Sequence, residues 1–167
     1  MNKYYIKYIG LLPLFVLIQV LILNEILFSS YINPYLYLIL IIRYPLKGAK
    51  WFLLCYAFIL GFFIDIFSGT LGFHSTATVF IVFIRGVISR ITVPHNMLSD
   101  NEYITLKKIG SKLFITFSFL IILIHNTCLF LLDHLTINLL ILSKILGSSL
   151  VTLILILILE IYNSGKK

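Results

Sequence analysis

The sequence predicts an all-α integral membrane protein, a bundle of six transmembrane helices with both termini in the cytoplasm. The chain of 167 residues is 60% hydrophobic and only 11% charged, with a mean hydropathy of +1.08. A soluble domain of this size cannot hide so much apolar surface. Twelve of the 13 Lys and Arg residues also fall into alternate gaps between long apolar runs. Because Lys and Arg in short loops stay cytoplasmic, this alternation predicts both the number of spans and their orientation.

The net charge of +7 would suggest nucleic-acid binding in a soluble protein. Here the cations flank apolar runs, where they set topology and meet anionic lipid. We therefore expect contacts with membrane lipids and no contact with nucleic acid.

The apolar runs give the elements in chain order. We expect spans at about 8–28, 31–42, 51–66, 73–93, 113–132 and 137–161. The first run follows Lys3 and Lys7 as a signal peptide would, but it is long and lacks a small-x-small cleavage site, which favours a retained span. The whole chain, 1–167, is thus expected to form a single transmembrane domain.

The second run is the weakest candidate. With its flanks it has about 14 residues, which as a helix cover about 21 Å of a hydrocarbon core near 30 Å. Taken alone it could be interfacial or re-entrant. If it did not cross, however, the cluster of Arg43, Lys47 and Lys50 would lie outside the cell. The charge pattern therefore predicts a crossing, with Pro34 in the first helical turn.

The polar stretch 94–112 is expected to hold at most a short surface helix. The connections at 29–33, 65–73 and 133–136 contain no Lys or Arg and are expected outside.

Polar residues at helical spacing predict which helix faces look into the bundle. In the fourth span these are His74, Thr78, Ile81, Arg85 and Ser89. Arg85 is the charged member of this face, and we expect it to orient the bundle as an intramembrane charge.

The sixth span carries a second polar face, formed by Lys144, Ser148 and Thr152. Ser143 and Gly147 form a small-xxx-small pair that would admit a neighbouring helix. Lys144 is the second intramembrane charge. Either it pairs with a carboxylate, Asp65 or Asp133 being the candidates, or it snorkels to the headgroups.

Five residues on the expected outer side suit a metal site or an acid/base pair: Asp65, His74, His125, Asp133 and His134. Their spacing matches no metalloenzyme or hydrolase motif. We therefore expect no catalytic residue, no metal and no cofactor.

One segment carries a more specific pattern. Residues 61–74 read GFFIDIFSGTLGFH, an apolar helix ending in G-x-x-x-D-x-x-S-G, followed by L-G-x-H and a further apolar helix. Gly69 and Gly72 permit a tight reversal, and Asp65 or Ser68 can bond loose backbone amides. This pattern resembles the signature segment of the MreD family of rod-shape-determining membrane proteins.

The resemblance implies a structural and interaction turn made by Asp65, Ser68, Gly69, Gly72 and His74. It also implies a non-enzymatic scaffold in the bacterial cytoplasmic (inner) membrane that helps to control cell shape and lateral peptidoglycan synthesis. The expected direct partner is an MreC-like protein. The expected indirect partners are an MreB-like actin homologue, a RodA-like glycosyltransferase and a class B penicillin-binding transpeptidase.

The MreD fold is itself similar to that of the substrate-binding subunits of energy-coupling-factor transporters. A vitamin-binding transporter subunit is therefore the alternative function. Such a subunit needs a pocket with convergent polar and aromatic groups. The short outer connections of this chain offer few of them.

Overall fold

The computed structural model describes residues 3–25, 32–70, 72–94, 97–98, 102–134 and 138–165. Parts of the predicted first, second and sixth spans, Leu71 of the turn motif, and the C-terminal Lys166 and Lys167 lie outside these residues. The described chain is helical. Its elements are α1 Lys3–Ile18, α2 Leu38–Arg43, α3 Lys50–Ser68, α4 Phe73–Thr92, α5 Leu106–Ile109, α6 Ser111–His134 and α7 Leu139–Ser164. A π-helical turn, Gln19–Leu23, continues α1.

Within the described ranges, five helices are long and apolar enough to cross a membrane. They are α1 with its π-helical turn, α3, α4, α6 and α7. Large apolar side chains stay exposed around them, among them Phe83 (77%), Ile91 (78%) and Leu139 (84%). Water would not tolerate such a surface, whereas lipid acyl chains do. The prediction of a multi-pass, all-helical membrane protein is confirmed at this level.

The predicted second span is not a continuous helix. Residues 32–37 are non-helical, and α2 begins at Leu38 rather than near Pro34 and has only six residues. The five residues from Leu38 to Ile42 are all buried by the surrounding helices. The segment 32–43, here called the central segment, therefore lies inside the bundle, where backbone that is not helical can find protein partners.

Side-chain contacts define two ends of the bundle. At one, the turn end, Asn24 bonds Ser68 where α3 ends. At the other, the basic end, Arg43 pairs with Glu160 of α7, and the amide of Ile104 donates to the carbonyl of Arg43. The described residues of the stretch 94–112 belong to the basic end, and their helical part is the short α5, as predicted.

Candidate functional site

Asp65 and the N-terminus of α4 form the centre of the turn end. Oδ1 of Asp65 accepts hydrogen bonds from the His74 amide (2.9 Å), from His74 Nδ1 (3.0 Å) and from the Thr70 hydroxyl (2.5 Å). Oδ2 accepts from the amide (2.9 Å) and the hydroxyl (2.8 Å) of Ser75. A carboxylate only accepts, so Nδ1 of His74 carries the proton. One side chain at the end of α3 thus caps α4.

Glycines make this arrangement possible. Gly69 ends α3 at φ 66°, and Gly72 precedes α4 at φ 84°, a left-handed region that favours glycine. One turn before Asp65, a Cβ on Gly61 would lie 2.4 Å from Cα of Ser75. The backbones of α3 and α4 therefore touch at Gly61. This contact brings Asp65 within reach of the α4 amides.

Ser68 has a different role from the one expected. Its hydroxyl accepts from Nδ2 of Asn24 at 2.8 Å, and Asp65 bonds the backbone amides instead. Gln19, fully buried in the π-helical turn, donates to Oδ1 of Asn24 and to the carbonyl of Pro34. Ser68 therefore connects the α3 to α4 turn with α1 and the central segment.

Four aromatic rings meet beneath the turn. Tyr35 and Tyr37 of the central segment face His74 and His125, with centroid separations of 5.6–6.4 Å. With the Asn126 amide oriented as it is, its Oδ1 accepts from Nδ1 of His125, so Nε2 of His125 accepts from the Tyr37 hydroxyl at 3.1 Å. His125 is therefore a buried structural group and lies apart from the Asp65 carboxylate.

The polar face of α7 supports the central segment. The hydroxyl of Ser148 accepts from the Asn33 amide at 3.1 Å, and that of Thr152 accepts from the Tyr35 amide at 3.0 Å. A Cβ on Gly147 would approach Ile32 at 3.3 Å. Ser143, predicted to share a packing surface with Gly147, is exposed instead. These hydroxyls replace the backbone bonds that a continuous helix would have supplied.

Arg85 lies inside the bundle, as predicted, together with the other four residues of its face. Its Nη2 donates to the carbonyls of Ile42 and Tyr44, and its guanidinium lies 5.7 Å from the Phe117 ring centroid. The carbonyls at the end of a helix lack intrahelical donors. Arg85, which lies on α4, therefore donates the hydrogen bonds that the carbonyls at the C-terminal end of α2 lack.

Of the alternatives for Lys144, pairing with Asp65 is not observed. Both carboxylate oxygens of Asp65 bond residues 70–75, and in the described part of the chain no ion pair joins it to the half-buried Lys144. Asp133 and His134 lie at the exposed end of α6, 3.4 Å apart. Among the described residues, no three His, Cys, Asp or Glu side chains are grouped to hold a metal ion.

Glu160 is the principal residue that the sequence analysis missed. It is buried near the end of α7, with Oε1 3.2 Å from Nε of Arg43 and Oε2 accepting from the Leu106 amide at 3.3 Å. Beside this pair, burial raises the pKa of the Tyr103 hydroxyl above its usual range, so Tyr103 stays neutral. Glu160 and Gln19 could have been found, since each is a polar residue within an apolar run.

The class of protein that these features define is an all-helical, multi-pass membrane protein in which buried polar groups bond the chain's own backbone and one another. Comparisons of the chain with protein-family models, with curated proteins and with solved structures found no match. The likeness to the MreD family therefore rests on residues 61–74.

Proposed function

We propose that this chain is a non-enzymatic scaffold subunit of a bacterial cell-elongation assembly, similar to members of the MreD family. The observation that carries the proposal is the turn formed by Asp65, Ser68, Gly69, Gly72 and His74. In the structure, Asp65 and His74 bond across this turn, and Gly61 in the same segment lets the backbones of α3 and α4 touch.

A structural role for these residues is supported by how their polar atoms are used. Asp65 and His74 are buried (4% and 6% exposed), and both Asp65 oxygens bond within the turn. Arg85 likewise bonds backbone carbonyls. A catalytic acid or base must instead reach a substrate proton. We therefore assign a structural role to the turn. It holds a rigid surface, and by binding to that surface neighbouring membrane proteins are held in a particular arrangement.

The proposed topology is six crossings with both termini in the cytoplasm. The central segment supports it by its path along α7, from Ser148 beside Asn33 to Glu160 beside Arg43. Those two α7 residues are about 18 Å apart at 1.5 Å per residue. The central segment therefore runs from the turn end to the basic end beside α7.

In this topology the turn end faces outward in the bacterial inner membrane. There an MreC-like partner can reach the exposed Phe67 (60%) and Gly69. The MreB-like, RodA-like and transpeptidase components are then linked through that partner. A vitamin-binding role is less well supported, because the cavity beside His74 and Asp133 has a volume of about 160 Å³, and the larger cavity beside Thr76 is almost wholly apolar. Small-molecule pockets usually have about 300–1,000 Å³.

Depletion in a rod-shaped host tests the function. We expect the cells to become round, and an MreC-like protein to co-purify with the tagged chain. Complementation with Phe67→Ala should weaken co-purification, whereas Ile158→Ala, a similarly exposed apolar residue (57%) on α7, should not. Normal cell shape after depletion, or tight vitamin binding by the purified protein, would contradict the proposal.

Reporter fusions test the topology separately. Green fluorescent protein fused after Ala49 should fluoresce, because that position lies in the cytoplasm when the central segment crosses. Alkaline phosphatase fused at the same position should be inactive. Active phosphatase there would refute six crossings.

A further inference from the structure

A basic cavity lies at the basic end, on the surface of α3 and α4 that faces away from the bundle. It has a volume of about 630 Å³, and its polar rim includes the cations Lys47, Lys50 and Arg90. Its floor is apolar and includes Val93 and Leu113. Among the described residues that line it there is no Asp or Glu. This cavity therefore favours an anionic group at its rim and an apolar group on its floor.

The cavity continues along α4 as a groove. A second cavity of about 230 Å³ shares Lys50, Gly86 and Ser89 with the first. Phe83 lines both this second cavity and a third, of about 430 Å³, which reaches Thr76 and is almost wholly apolar. From Arg90 to Thr76 the groove follows 14 residues of helix, which is about 21 Å. The three rim cations thus lie at one end, Arg85 lines the second cavity, and the part from Phe83 to Thr76 is almost wholly apolar.

We propose that this groove, from Lys47, Lys50 and Arg90 to Phe83 and Thr76, is a binding site for an anionic phospholipid. The phosphate lies between the three cations, with the Arg90 guanidinium able to bond two of its oxygens. An acyl chain lies along α4 over Gly86 and Phe83. Basic pockets between membrane helices bind anionic headgroups in this way. A protein helix would fit the apolar part, whereas the exposed Lys50 and Arg90 at the rim favour an occupant that also carries an anionic group.

Gly86 offers a steric test of the groove. A Cβ at this position would meet nothing within 4 Å, so a larger side chain can enter the groove without touching the backbone of a neighbouring helix. Gly10, exposed on α1, also has nothing within 4 Å. Gly86→Leu therefore blocks the proposed site, and Gly10→Leu is the matched control on another helix.

The experiment measures lipid binding by the purified full chain in a neutral detergent, with native mass spectrometry and thermal shift. We expect phosphatidylglycerol to bind and stabilise the protein, and phosphatidylcholine and inorganic phosphate to do so far less. Lys50→Gln/Arg90→Gln should weaken phosphatidylglycerol binding about thirtyfold, or about fivefold per cation, from roughly 1 kcal/mol for each Lys or Arg near an anionic surface. Lys107→Gln/Lys112→Gln removes two cations at the same end, outside the lining, and should change binding less than twofold.

Gly86→Leu should abolish the shift in Tm that the lipid causes. Without lipid, its Tm should lie within about 2 °C of the Tm of Gly10→Leu.

Equal binding of phosphatidylcholine and phosphatidylglycerol would overturn the proposal. So would equal losses in the two double variants, because the attraction would then be a general effect of charge. Full competition by inorganic phosphate would indicate an ion site without an acyl chain, and crosslinking of Phe83 to a co-purified protein helix would assign the groove to a protein. The assay contains no partner protein, so its result does not depend on the scaffold function.

Discussion

Replacing Asp65 by Asn tests the hydrogen bonds of the carboxylate, because the size of the side chain stays almost unchanged. Asn retains one acceptor oxygen, which can serve the Thr70 and His74 donors, but its NH2 group then faces the amide of Ser75. The Ser75 hydroxyl keeps its bond to the Gly72 carbonyl. One buried amide therefore loses its acceptor, at about 1–3 kcal/mol, and the remaining bonds lose charge assistance. We expect a total loss of about 2–4 kcal/mol in the free energy of unfolding.

Thermal unfolding of the purified protein in detergent measures this loss. A change of that size lowers Tm by about 5–15 °C in a domain of this length. Asp133→Asn is the control, since Asp133 is half-exposed and its ion pair within the described residues is with the neighbouring His134. A surface change of this kind alters stability by about 0.5 kcal/mol or less. Equal Tm values for the two variants would refute the reasoning, because the Asp65 carboxylate would then not hold α3 to α4.

Three other substitutions probe the packing by the same assay. Gly61→Ala should lower the free energy of unfolding by about 1–3 kcal/mol, because its Cβ overlaps the α4 backbone. Gly10→Ala should be neutral or slightly stabilising. Equal effects of the two changes would contradict the close contact at Gly61. Ser148→Ala leaves a buried backbone amide without an acceptor and should cost about 1–3 kcal/mol, while the exposed Ser143→Ala should cost under about 0.5 kcal/mol. Arg85→Gln should cost about 2–4 kcal/mol by removing the donor to two buried carbonyls, and an unchanged Tm would exclude that role.

Much of the α3 to α4 hairpin could be predicted from local sequence. Gly69 and Gly72 indicate a reversal, and Gly61 one turn before Asp65 indicates a close contact. These features act between residues fewer than 15 positions apart, so their geometry follows from helix periodicity and turn stereochemistry. The donors Thr70 and Ser75 lie in the same short stretch. Their partnership with Asp65 was still not predicted, because several rotamers and turn geometries suit the same residues.

The central segment shows where prediction from sequence fails. Hydropathy and Pro34 were consistent with a short helix, but residues 32–35 are not helical, residues 36–37 form a turn, and α2 begins only at Leu38. The non-helical part depends on acceptors at Ser148 and Thr152, which lie 115 and 117 positions from their donors in the sequence. A local pattern carries no information on whether such acceptors will stand beside the chain. The sequence left the pairing of Lys144 with Asp65 open for the same reason.

The sequence by itself determined that this is a membrane protein, where its long helices lie, and which faces of α4 and α7 point inward. Those properties depend on composition and on helical period, which neighbouring residues decide among themselves. Only the tertiary structure decided which polar groups meet: Asp65 with the α4 amides, Arg85 with the end of α2, and Glu160 with Arg43. The physical reason is that a hydrogen bond needs two atoms within about 3 Å, and the packing of distant helices sets that distance.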